Sequence, residues 1–114
     1  MKPKAQKYHN EKTVIDGITF DSMKEATRYV ELKLLERAGE VKELKLQPKF
    51  ELQEAFRHNG KAVRAINYIA DFMYYDTATD RIVVEDTKGY RTKDFEIKKK
   101  MFLKKYPQYT LIIS

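Results

Sequence analysis

A chain of 114 residues suffices for one domain, which buries roughly two-thirds of the surface its unfolded form exposes. With 42% hydrophobic and 12% aromatic residues it is too apolar to be disordered, and with no cysteine it has no disulfide scaffold, thiolate metal site or thiol nucleophile. Its net charge of +6 is uneven: residues 1–12 carry +3, residues 91–114 carry +5, and the stretch between carries −2.

Residues 1–12 read as a flexible basic arm, and residues 13–114 as a single domain. Thr13-Val14-Ile15 and Ile18-Thr19-Phe20 flank Asp16-Gly17, a pair suited to the two positive-φ positions of a type I′ turn, so a short hairpin opens the domain. Ser22-x-x-Glu25 matches a capping box, and Gly39 is a natural stop, which predicts a helix from about Met23 to Ala38. Met23, Ala26, Val30 and Leu34 form one apolar stripe on it, and Tyr29 and Leu32 lie on another. That wide arc predicts contacts on two sides, with its own sheet and with something else.

Strand-like sequence follows from Val41. Residues 48–53 alternate, Asn59-Gly60 signals a second hairpin, and residues 62–75 are β-branched and aromatic throughout. A turn at residues 76–80 leads to a strand opening at Ile82-Val83-Val84. Thr92 can cap a helix from about Lys93 to Tyr106, broken by Pro107, and Tyr109 to Ile113 is a closing strand. The order is hairpin, helix, three-stranded meander, helix, strand: an α/β or α+β arrangement of helices against one mixed sheet.

The unusual feature is a strand that ends in charge, Ile82-Val83-Val84-Glu85-Asp86-Thr87-Lys88-Gly89. Alternation puts Asp86 and Lys88 on one face, ~7 Å apart at Cα, and Glu85 and Thr87 on the other. Asp71 interrupts the apolar run one strand earlier, on what reads as the hairpin neighbour. Two carboxylates on adjacent strands beside a lysine suit a hard divalent cation, which takes oxygen ligands and keeps several waters. Glu85 competes with Asp86 for this role, and the spacing to Lys88 favours Asp86.

Asp71 followed by Asp86-Thr87-Lys88, on an αβββαβ order covering about residues 20–113, resembles the PD-(D/E)xK nuclease superfamily, in particular small phage and prophage endonucleases related to Holliday-junction resolvases. Phe20-Asp21-Ser22-x-x-Glu25 and Gln47-Pro48 belong to the same resemblance; Ala70 departs from it, standing where the superfamily's proline would be. The resemblance implies a restriction-endonuclease-like core, a mixed sheet flanked by two helices with the short hairpin added at its start. It implies that Asp71, Asp86, the Thr87 carbonyl and Glu25 serve Mg²⁺ or Mn²⁺, and that Lys88 assists the attacking water and the phosphate. The activity expected is metal-dependent DNA endonuclease, selective for branched or single-stranded DNA; two paired cuts would call for a homodimer. A non-specific nicking nuclease and a non-catalytic DNA-binding module on the same fold are the alternatives.

Glu25 has a second reading as the partner within its capping box. Lys88 could serve only to pair with Asp86 or Glu85. Lys98, Lys99, Arg91 and Lys93 are the expected DNA contacts, although Lys98-Lys99-Lys100 spread around a helical turn and cannot all face one strand. His9 and His58 lack partners at metal-ligand spacing, and no phosphate-binding glycine loop is present. No apolar run could span a bilayer, and no secretory segment follows Met1-Lys2-Pro3-Lys4. The expected location is the cytoplasm, that of the host cell if the chain is phage-encoded.

Overall fold

The computed structural model describes residues 12–114, so the basic arm, apart from Lys12, lies outside the described residues. Strands β1 (Thr13–Ile15) and β2 (Ile18–Phe20) form the expected hairpin, with Asp16 and Gly17 at φ 55° and 76°. Helix α1 (Met23–Arg37) starts at Ser22, whose hydroxyl accepts the Glu25 N–H at 3.1 Å, and Gly39 follows it at φ 81°. The capping box is only half formed. Among the described residues the Glu25 carboxylate makes no return hydrogen bond and is left for another role.

The strands after α1 are β3 (Val41–Leu46), β4 (Lys49–Gln53), β5 (Phe56–His58), β6 (Lys61–Val63), β7 (Ile66–Ile69), β8 (Phe72–Asp76) and β9 (Arg81–Asp86). Helix α2 (Lys93–Lys105) and strand β10 (Tyr109–Ile113) complete the chain. A four-stranded mixed sheet has the order β10-β9-β8-β3, with β10 parallel to β9 and the other neighbours antiparallel.

The expected single strand over residues 62–75 is instead three pieces, broken at Arg64-Ala65 and at Ala70-Asp71. The second break is matched on the partner strand by Gln47-Pro48, where Gln47 sits at φ 50°. Pairing continues across the bend: Leu46 faces Phe72, Lys49 faces Ile69, the Gln47 amide donates to the Asp71 carbonyl at 2.9 Å, and the Ala70 amide donates to the Pro48 carbonyl at 3.1 Å. One long hairpin therefore leaves the main sheet at Asp71, and its outer half, β4–β7, folds over α2. A strand buried on alternating faces must turn to follow two cores, and a proline with no N–H marks the place where the ladder gives way.

Those cores lie on opposite faces of the sheet. Phe20, Ala26, Tyr29, Leu32, Phe72, Tyr74 and Val83 pack on the α1 side. Phe50, Leu52, Tyr68, Val84, Phe95 and Phe102 pack on the α2 side. Adjacent Val83 and Val84 serve different cores, as strand alternation requires. Helix α1 buries Glu25, Ala26, Tyr29 and Leu32 against its own sheet and hairpin, while Met23 and Leu34 remain 57% and 56% exposed.

Candidate functional site

Strand β9 ends in two adjacent carboxylates, and the bend beside it supplies a third. Phe72 pairs with Glu85 at the end of the β8–β9 hairpin, and Asp71 stands in the bend just before it, beside Asp86. The Asp71 amide donates to the Glu85 carbonyl at 3.1 Å, one residue out of the ladder's register, which ties the bend to the very end of the sheet. The parallel neighbour braces the same place: the Ser114 amide donates to the Asp86 carbonyl at 3.0 Å, and the Lys88 amide donates to the Ser114 carbonyl at 2.9 Å.

Asp86 is 1% exposed. Its Oδ2 accepts the Tyr68 hydroxyl at 2.6 Å and lies 3.3 Å from the Lys88 ammonium, which also sits 4.8 Å from the centre of the Phe95 ring. Asp71 Oδ2 accepts both the Thr87 amide at 2.8 Å and the Thr87 hydroxyl at 2.7 Å. Burial raises the Asp86 pKa to about 6; the Tyr68 hydrogen bond and Lys88 pull it down, and neighbouring Asp71 pushes it up. Glu25 enters from the first turn of α1. Its pKa is raised to about 7, first by burial and then by the negative charges of Asp71, Asp21 and Asp86, against a lowering by Lys88. A cavity of about 170 Å³ contains Glu25 and Asp71 together with Phe20, Leu46 and Gln47.

Glu85 points the other way. It is 2% exposed, its Oε1 accepts the Tyr74 hydroxyl at 2.7 Å and an Arg28 N–H at 3.1 Å, and its Oε2 accepts the Arg28 Nε–H. This pair pins α1 to β9, and hydrogen bonding to Glu85 pushes the Arg28 guanidinium further up while burial pushes the Tyr74 hydroxyl to about 12. A roomier cleft, about 610 Å³, opens beside it between α1 and β10. Volume is a poor guide here, because the charges flooring that cleft already neutralise each other; the uncompensated carboxylates are in the smaller cavity.

Glu25, Asp71, Asp86, Thr87 and Lys88, far apart in the chain, thus converge at one end of the sheet. The basic residues do not all join them. Arg91 is taken up by Glu96 at 2.8 Å, Lys93 is exposed in the first turn of α2, and Lys98 lines a separate groove with Ile66, Asn67 and Ile97. Lys99 is half-buried. Tyr68, the Thr87 side chain and Arg28 were not legible as parts of the arrangement. Alternation marks Tyr68 as facing a core, but only the bend brings its hydroxyl to Asp86.

The donor set contains carboxylate, hydroxyl and carbonyl oxygens, the ligands a hard cation takes. No three His, Cys, Asp or Glu side chains among the described residues converge closely enough to enclose a metal ion. Two carboxylates suffice for Mg²⁺ when water and a phosphate complete its shell, so the fit is to an open, substrate-completed site rather than a closed cage. No helix among the described residues is long and apolar enough to cross a membrane.

A family model described as "Protein of unknown function (DUF1064)" matches residues 5–114. Neither the curated proteins nor the solved structures yield a match.

Proposed function

The chain belongs to the DUF1064 family, and for this member we propose a metal-dependent DNA endonuclease activity on a restriction-endonuclease-like core. The observation that carries the reading is the pair Asp71 and Asp86 at the end of a β-hairpin, with Lys88 3.3 Å from Asp86. Structural ion pairs in proteins are neutralised; here at least two acids face one ammonium. Such a surplus of negative charge has a purpose if a cation and a phosphate complete it.

In this reading Asp71 and Asp86 hold Mg²⁺ or Mn²⁺, with the Thr87 carbonyl as a further oxygen. When bound, the ion supplies Lewis-acid polarisation of the phosphoryl group and makes water more acidic. Thr87 and Tyr68 aim the carboxylates, each donating to the Oδ2 of its aspartate. Lys88 stabilises charge gathering on the phosphate, and Phe95 limits where its ammonium can go. Glu25, with a pKa near neutrality, is able to take a proton from water in the adjoining cavity. The substrate class in this reading is branched or single-stranded DNA, and paired cutting would need two copies.

The test separates chemistry from binding. With Mg²⁺, branched DNA should be cut by the wild type and not by Asp71→Asn, while Lys88→Ala should be slower by ~10²–10³-fold. In Ca²⁺ the Asp71→Asn protein should bind DNA as well as the wild type or better, having lost a charge that repels phosphate. Cleavage by Asp71→Asn would overturn the assignment, and wild-type binding without cleavage would make the chain a DNA-binding module.

A further inference from the structure

The outer end of the long hairpin packs on no other element among the described residues. Strands β5 and β6 pair only with each other and form a two-stranded sheet of their own. Both strands of the hairpin are interrupted at its base, at Glu54-Ala55 and at Arg64-Ala65. Residues 53–62 are all exposed, and Phe56 is 45% exposed. The turn is Asn59-Gly60 at φ 51° and 77°, and Arg57 donates to the Gly60 carbonyl across it. An isolated ribbon of this size is marginal in water, and no other element among the described residues supports it.

Its charge has a pattern. Residues 55–65 contain Arg57, Lys61 and Arg64 and no carboxylate. His58 pairs with Lys61 and Arg57 with Ala62, so Lys61 projects from one face and Arg57 from the other. Arg64 follows directly after β6, at the ribbon's base. Cations on both faces suit an element with phosphates on both sides of it. Two antiparallel strands have the width that the B-DNA major groove, about 12 Å across, accepts.

We propose that the β5–β6 ribbon is a duplex-binding arm that enters the major groove of DNA beside the site of cleavage. This deepens the nuclease reading and rests on it only for the identity of the ligand. It specifies a substrate with a double-stranded arm next to the cut. The chain limits the reach: Tyr68 touches Asp86, and Gly60 is eight residues further out, at most ~26 Å at strand spacing, or about eight base-pair steps. Lys98, in the groove against Ile66 and Asn67, lies near the ribbon's base.

The experiment measures binding in EDTA, across a salt series, to a 30-base-pair DNA duplex, one of its strands alone, and an RNA duplex of the same length. The side chains of Lys61 and Arg64 make no hydrogen bond or ion pair among the described residues, so Lys61→Ala with Arg64→Ala should fold normally. The double variant should bind duplex DNA about 10-fold or more weakly, with a log–log salt slope smaller by ~1.8 for two lost phosphate contacts. Single-strand affinity should change less than twofold. Unchanged duplex affinity and slope would overturn the proposal, as would wild-type protein that binds no duplex. RNA duplex bound as tightly through the same residues would also overturn it, because the A-form major groove is too narrow for the ribbon. A weakened duplex complex in a protein that never cleaves would keep the ribbon and remove the nuclease; cleavage of duplex-armed DNA indifferent to the variant would do the reverse.

Discussion

Glu85 and Asp86 are neighbours on one strand, both carboxylates and both about as buried as side chains become. Their surroundings differ in one respect. Glu85 faces a guanidinium and a tyrosine that satisfy its oxygens, and the result is a clamp between α1 and β9. Asp86 shares a single lysine with Asp71 and Glu25, so burial and repulsion hold its pKa near 6. A buried acid paired at full strength serves the fold; one left among other acids is held in a state that only a cation or a proton relieves. The strand's alternation separates the two roles by one residue.

The contrast is sharpest with metal. Saturating Mg²⁺ or Mn²⁺, at ~100 times Kd, should stabilise the wild type by about 2.7 kcal/mol in a melting experiment, since only the folded chain gathers the ligands. The same addition should do nothing for Asp86→Asn, whereas Glu85→Gln should retain the gain. A wild-type melting curve indifferent to both ions would remove the metal site.

Without metal the order reverses. Glu85→Gln leaves Arg28 without its main counter-charge and should cost ~2 kcal/mol, at the low end for a broken buried pair because Arg28 is partly exposed and keeps Glu31. For a domain of about this length that amounts to a fall of roughly 10 °C in Tm. Asp86→Asn should leave stability equal or slightly higher, by removing repulsion. Equal losses in the two variants would erase the distinction between clamp and site.

Smaller again is the response to pH. Glu25 and Asp86 are raised to about 7 and about 6, so between their unfolded and folded pKa values the folded chain binds more protons than the unfolded one. Their contribution to stability is therefore complete at low pH and is lost as pH rises through 6 and 7. The metal-free protein should melt a few degrees lower at about pH 8 than at about pH 5, and saturating metal should remove most of that difference. Glu25→Gln should flatten the profile while changing stability at about pH 5 by less than ~0.5 kcal/mol, because Ser22 caps the helix through the backbone N–H of residue 25 rather than its side chain. A profile unchanged in Glu25→Gln would mean that its carboxylate does not face the other acids.

Much of this molecule is written in short stretches. Asp16-Gly17 makes the first turn, Ser22 and Thr92 start the two helices, and strand alternation alone separates Asp86 and Lys88 from Glu85. Each depends on backbone geometry within a few residues, so the local residues decide it. The bend at Gln47-Pro48 and Ala70-Asp71 is different. Either half alone reads as strand, and only the pairing of residues more than 20 positions apart makes both turn together and bring Tyr68 to Asp86. Arg28 and Glu85, 57 residues apart, meet only because α1 crosses β9. The same packing chose which arc of α1 to bury, taking Tyr29 and Leu32 and leaving Met23 and Leu34 outside. An apolar pattern states what a helix could bury; the shape of the partner decides what it does bury, because burial requires a complementary surface at that place.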